Sequence, residues 1–210
     1  MRQIAFILAL IGLAESGSSQ SFLLDDGQSG VAFNLLAAGA GDISELDLFV
    51  GYAPGRFGEF GLGLALAGNS DGTMFGYTQY ADFHLVPVNK PGESLFAFTL
   101  SESYLYSPSE DYYSSGVGIL TLGTRLSIGV ADKDRFPAVV SLGYQHSFQI
   151  RTGGTNAGGF LLELDYVNQT AYRVLTIGPA IIVTSNSAMI GIRLSFLDTN
   201  EPKHNDWDDF

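Results

Sequence analysis

The chain has 210 residues, enough for one domain that closes into a β-barrel. Its 22 acidic and 10 basic residues give a net charge of -12, which disfavours nucleic acid as a partner because phosphates have to be met by Lys and Arg. It has no Cys, which excludes disulfides and thiolate metal sites, and only 15% of its residues are charged, fewer than a β protein with a fully solvated surface normally carries.

Residues 1–16 have the layout of a secretory signal peptide. Arg2 precedes an apolar run over 4–14, and small residues up to Ser16 suit a cleavage site ahead of Gly17. An N-terminal anchor helix is the alternative, but the run is shorter than the roughly 20 residues that a membrane-spanning helix needs. No later apolar run reaches that length, so any membrane contact of the mature chain has to come from strands.

From about residue 29 onward, alternating apolar and polar segments follow one another with Gly, Pro, Asn and Asp between them, and no helical period is found. A polar, acidic tail over 198–210 follows the last segment and is interpreted as solvated, without the spacing of a Ca²⁺ loop. The barrel domain is therefore expected to span 17–197. The alternation predicts ten strands, near 29–38, 44–53, 58–67, 74–86, 94–106, 115–130, 137–150, 158–168, 171–183 and 187–197.

The two faces of each predicted strand differ in composition. One face carries large apolar residues, as in the last strand, and the other carries mostly Gly, Ala, Ser and Thr. A few polar or charged residues interrupt this second face, namely Asp47, Glu59, Asp82, His84, Arg125, Glu163, Asp165 and Arg193.

This distribution predicts which solvent each face meets. A face in bulk water normally carries long charged side chains, whereas small residues with a few pairable charges suit the crowded interior of a narrow barrel. The apolar faces would then contact hydrocarbon, where a sheet has to close because every unpaired backbone amide costs several kcal/mol. The predicted fold is all-β, a closed antiparallel up-and-down transmembrane β-barrel of about ten strands, with eight to twelve possible.

The last predicted strand carries the most specific motif, "IGIRLSF" over 190–196, in which Ile190, Ile192, Leu194 and Phe196 alternate and end on an aromatic residue. The motif is similar to the C-terminal strand signal of small bacterial outer-membrane β-barrel proteins, and the resemblance extends over nearly all of the chain after the signal peptide. It implies a location in the bacterial outer membrane, with lipid and the barrel-insertion machinery as partners. The sequence departs from the pattern because fourteen further residues follow Phe196.

The resemblance also allows an enzyme, because some outer-membrane barrels are hydrolases or lipid-modifying enzymes. Asp82 and His84 lie two residues apart on one face, and a carboxylate beside an imidazole can act as a base. No serine in a recognisable nucleophile motif accompanies them, and His84 would lie near the periplasmic end of its strand. We therefore expect no catalytic residues, and the three scattered His residues indicate no metal and no cofactor.

The leading hypothesis is a non-enzymatic outer-membrane barrel with a structural role or a role in small-solute passage. Interior carboxylates and arginines are expected to pair across the lumen, forming a polar plug or a thin passage that prefers cations. Two alternatives stay open: an outer-membrane lipid or peptide hydrolase that uses His84, and a secreted soluble barrel that binds an apolar ligand in its centre. The pattern does not predict an oligomeric state.

Overall fold

The computed structural model describes residues 20–25, 27–70, 72–90, 94–108, 117–132, 135–150, 156–170, 172–184 and 188–200. The predicted signal peptide and residues 201–210 of the predicted tail lie outside these ranges. Within them, no helix has the length and the apolar character that a membrane crossing requires.

The described chain is almost entirely β-strand. One short 3₁₀ turn, Ser21–Leu23, precedes the first strand. The strands are β1 Gly30–Ala40, β2 Ile43–Gly55, β3 Gly58–Asn69, β4 Gly72–His84, β5 Val88–Lys90, β6 Ser94–Ser107, β7 Val117–Asp132, β8 Arg135–Gln149, β9 Asn156–Thr170, β10 Arg173–Thr184 and β11 Ala188–Thr199.

Ten of these strands form one closed antiparallel ring. Each pairs with its neighbours in sequence, β4 pairs with β6 across the short β5, and β1 pairs with β11 to close the ring. Leu35, for example, lies opposite Leu48 of β2 and Leu194 of β11. The predicted ten-stranded up-and-down barrel is therefore confirmed. The two ends are distinguished below as the near end, where β1 begins and β11 ends, and the far end.

The large apolar side chains lie on the outside of the ring. Leu64, Leu122 and Ile192 are 43%, 46% and 60% exposed, whereas Glu163 and Arg193 are 4% and 3% exposed. A soluble barrel with an apolar centre would require the opposite arrangement, so the structure contradicts that alternative.

The strand β5 and the segment before β1 were not predicted from the sequence. β5 is three residues long and lies beside the first residues of β6, with Val88 opposite Phe96. A strand of this length has no measurable alternation, so a period-2 pattern could not reveal it.

The barrel interior is divided into layers along its axis. On β9 the inward side chains run from Leu161 through Glu163 and Asp165 to Val167, so a charged layer lies between two apolar ones. The far end holds two apolar clusters, one formed by Ala65, Ala67, Met74, Leu105, Val117, Ile119 and Ala157 and the other by Leu36, Leu161, Ala180, Ile182 and Met189. Between them on β2 lie the buried carboxylates Asp47, opposite Leu36 and Ala65, and Glu45, opposite Ala67. The apolar layer at the near end is formed by Ala32, Ala53, Leu95, Ala97, Val139, Val167, Val174 and Leu197 together with residues 22–24.

Candidate functional site in the barrel interior

Residues 20–25 fill the near end of the barrel, and we call this segment the plug. Phe22, Leu23 and Leu24 are 5%, 1% and 0% exposed and pack against the apolar layer of the near end. Burying three large apolar side chains stabilises this position by roughly 1.5 to 3 kcal/mol for each. The plug therefore forms part of the barrel core.

Hydrogen bonds hold the plug to four strands. The side-chain amide of Gln20 donates to the hydroxyl of Thr176 on β10. The carbonyl oxygen of Leu23 accepts from Nδ2 of Asn89 at 2.9 Å and from Nε2 of Gln169 at 3.0 Å, so β5 and β9 both contribute. A buried carbonyl without partners would oppose insertion of the segment, and these amides remove that cost.

His84, at the end of β4, supplies the fourth connection. Its Nε2 lies 2.9 Å from Oγ of Ser21 in the plug, and its Nδ1 lies 2.8 Å from Oγ1 of Thr99 on β6. Phe22 meets the imidazole ring edge-on at a centroid distance of 5.3 Å. His84 thus joins the plug to the barrel wall through both of its ring nitrogens.

A network of five charged side chains occupies the middle layer, and we call it the charged cluster. Arg193 of β11 bonds both Glu163 and Asp165 of β9. Arg125 of β7 approaches Glu163 at 3.6 Å and Asp82 of β4 at 3.4 Å. Because all five are buried, each charge depends on its partners rather than on bulk water for stabilisation.

A second hydrogen-bonded group lies beside this cluster on β1, β3 and β4. The phenol of Tyr80 donates to Oε1 of Glu59 at 2.5 Å, and Nδ2 of Asn34 lies 3.3 Å from both that carboxylate oxygen and the phenol oxygen. Phe49 packs edge-on against the Tyr80 ring at 5.5 Å. Glu59 therefore accepts hydrogen bonds from the phenol of Tyr80 and the amide of Asn34.

Small hydroxyl side chains fill the remaining width of the lumen on β7 and β8. Ser127 and Ser141 lie 2.8 Å apart, and Thr121 and Ser147 lie 2.7 Å apart. An internal cavity of about 10 Å³ remains beside Arg193. Side chains therefore fill this described part of the interior, as expected for a barrel of this width.

The predicted lumen residues are all inward-facing. Asp47, on β2, is 1% exposed and lies two residues from Glu45, which faces the same way. The others are the charged cluster, Glu59 and His84, already described. Among the described residues, no group of three or more His, Cys, Asp or Glu side chains has the arrangement of a metal site.

Asp82 and His84, the candidate catalytic base, belong to two different side-chain networks. Asp82 faces Arg125 in the charged cluster, whereas His84 faces Thr99 and Ser21 at the near end. Ser21 and His84 are 0% and 2% exposed, so a substrate could reach this hydroxyl and imidazole only after the plug had left.

Sequence reasoning missed three interior features: the plug, Glu45, and the pair of Asn34 and Tyr80. Asn34 and Tyr80 alternate with the outward residues of β1 and β4, so the period-2 pattern contained their positions. The apolar inward layers also had a signal, because "FLL" over 160–162 and "IIV" over 181–183 are apolar on both faces.

The predicted insertion-signal residues lie on the outside of β11. Ile190, Ile192 and Leu194 are exposed and Phe196 is half-buried, packed 6.4 Å from the ring of Phe33 on β1. A closed antiparallel ring with an apolar exterior and a polar interior is the architecture of an outer-membrane β-barrel. The predicted structural class is thus confirmed.

Comparison with known proteins finds solved structures that align with this chain at low sequence identity. No protein-family model matches the chain. No curated protein matches it. Neisserial surface protein A aligns at 10% identity over 81% of this chain and 95% of its own, with a TM-score of 0.37. The transport unit of the autotransporter AIDA-I from Escherichia coli aligns at 10% identity over 93% and 98%, with a TM-score of 0.40. The translocator domain of the autotransporter NalP from Neisseria meningitidis aligns at 8% identity over 94% and 95%, with a TM-score of 0.38.

Proposed function

We propose that the chain is a structural, non-conducting barrel of the bacterial outer membrane. The observation that carries this proposal is the occupied interior, in which the plug fills the apolar near end, the charged cluster spans the middle, and two apolar clusters flank Asp47 and Glu45 at the far end. The exposed apolar exterior supports the membrane location, because lipid is the solvent that such a surface favours.

The layers argue against the passage role that the sequence also allowed. A hydrated ion entering from the near end would have to displace Leu23 and Leu24, which are almost completely buried. It would then meet a charged cluster in which two arginines already pair with three carboxylates. An apolar constriction such as the one at the near end excludes water and ions.

Side chains and the plug inside the barrel cross-link its strands. Arg193 connects β11 to β9, Arg125 connects β7 to β4 and β9, and the plug connects β4, β5, β9 and β10. Strands that are not neighbours in the ring are thereby joined through the lumen, which resists deformation of a narrow barrel. We propose this mechanical role in the membrane as the function.

The test is a conductance measurement on the full mature chain reconstituted in planar lipid bilayers. Insertion is first established by recovery in the outer-membrane fraction and by a change in gel mobility on boiling. We expect no steady conductance above that of the bare bilayer. A steady, cation-selective current from the inserted barrel would overturn the closed-interior proposal and favour small-solute passage.

The hydrolase alternative is tested on the same material with the H84A variant. Hydrolysis of a lipid or peptide substrate by the wild-type barrel, lost in a folded H84A variant, would contradict the structural role. We expect neither protein to hydrolyse such substrates.

A further inference from the structure

Two polar side chains on neighbouring strands interrupt the apolar exterior, and His146 of β8 also faces outward, two strands from Glu102 in the register. On β6 the outward residues run from Leu100 through Glu102 to Tyr104, and on the neighbouring β4 the exposed Gln79 lies opposite Tyr104. Within the described part of the chain, the side chains of Gln79 and Glu102 make no hydrogen bond or ion pair. If the barrel lies in lipid as proposed, an ionisable outward side chain is costly unless something pairs with it.

A groove runs beside these two residues on the outer surface. It has a volume of about 660 Å³, and its lining includes Phe60, Tyr104, Gln79, Glu102 and the small residue Ala81. Leu62, also on this surface, is 68% exposed, the largest value among the described apolar side chains. The groove over Ala81 and the projecting side chain of Leu62 are therefore adjacent. The patch is the surface formed by Phe60, Leu62, Gln79, Ala81, Glu102 and Tyr104.

We infer that this patch is a self-association surface, occupied by a second copy of the chain in the membrane. In a two-fold interface both copies use the same patch. The donor of each copy can therefore bond the acceptor of the other copy. Gln79 supplies amide donors and Glu102 supplies carboxylate acceptors, so the patch is self-complementary in its hydrogen bonds. Lipid acyl chains offer neither donors nor acceptors.

The geometry of the two strands supports this pairing. Ala81 lies directly opposite Glu102 in the β4–β6 register, so Gln79 and Glu102 are diagonal neighbours. Diagonal neighbours on a sheet lie about 7 to 8 Å apart, so a two-fold axis between them brings each amide toward the partner's carboxylate. Leu62 of each copy can then fill the groove over Ala81 of the other. This inference goes beyond the proposed function but rests on its membrane location.

The test uses single cysteines, since the chain contains none of its own. A81C places a thiol at the centre of the patch, and I192C places one on outward β11, across the barrel, as the matched control. Both variants are oxidised in native membranes after each has been shown to be inserted and heat-modifiable. We expect a disulfide-linked dimer from A81C and none above background from I192C.

A second pair of changes tests the hydrogen bonds. In the A81C background, E102L removes the acceptor and E102Q retains hydrogen-bonding capacity. Loss of two symmetric hydrogen bonds in lipid is expected to lower dimer affinity roughly tenfold in E102L, with most of it kept in E102Q.

Equal cross-linking of inserted A81C and I192C would overturn the inference, as would an inserted A81C barrel that is cross-linked only to a different protein or not at all. Dimer formation unchanged by E102L would overturn the role of the polar pair. Failure of both cysteine variants and the wild type to insert would instead contradict the proposed membrane location, which the insertion measurement distinguishes.

Discussion

Arg193 on β11 is a buried cation that depends on ion pairs for its stabilisation. It is 3% exposed and bonds two carboxylates, Glu163 and Asp165, on a strand that is not its sheet neighbour. Removing these three charges from water costs energy that their pairing only partly returns, so the net contribution of the intact network to stability is small. Removing one partner alone is different, because it leaves the other charges buried and uncompensated.

We therefore predict that R193M destabilises the barrel by about 3 to 5 kcal/mol. The measurement is the free energy of unfolding in urea, in lipid vesicles. R173M is the matched control, because Arg173 pairs with Asp198 through side chains that are 66% and 57% exposed. The control is expected to cost less than about 1 kcal/mol. Equal losses for the two variants would show that the buried carboxylates do not depend on Arg193 for compensation.

For single residues, the sequence predicted the face of the strand on which a side chain lies, but not the residues that it contacts. Alternation alone placed Arg125, Glu163 and Arg193 on inward faces, because a period of two determines the side of a strand. It did not show that Arg193 would meet β9 rather than β10, since contacts across a lumen depend on how the sheet closes. The alternation also contained the position of Tyr80, but its residue type gave no signal, because a phenol is compatible with either face.

The plug is the element that sequence reasoning missed altogether. "SFLL" over 21–24 is too short for any periodicity, and its partners lie on β4, β5, β9 and β10, far apart along the chain. The ten long strands were predicted because each repeats its alternation over 11 to 16 residues. Local pattern thus identified the wall, whereas the packing inside it depends on contacts between distant segments.

The plug's contribution to stability is testable with L24A. Leu24 is completely buried among apolar side chains, so truncation is expected to cost about 2 to 5 kcal/mol. L85A is the control, since Leu85 lies close to the near end and is 56% exposed. Both are measured by unfolding in lipid vesicles, with gel mobility before boiling as the check of folding. A cost for L24A no larger than for L85A would contradict a stabilising role for the plug.

For the whole molecule, the decisive question is whether hydrocarbon surrounds the ring. Leu64 lies in the middle of β3 and Val130 near the end of β7, and both face outward and are exposed. In a bilayer we predict that L64R costs about 2 to 4 kcal/mol, whereas V130R costs at most about 1 kcal/mol, because the penalty falls towards the interface. The free energy of folding into vesicles of outer-membrane thickness measures both. Similar small costs at the two depths would contradict a transmembrane position.

The pairing of β1 with β11 determines the order in which this molecule can be assembled. Residues 20–25 are enclosed by a wall whose final seam joins residues about 160 positions apart, such as Phe33 and Phe196. The enclosed segment touches β9 and β10, so its docking surface is incomplete until synthesis and export have delivered the second half of the chain. Pairing of β1 with β11 and docking of residues 20–25 must therefore be late steps of assembly, after most of the hairpins have formed.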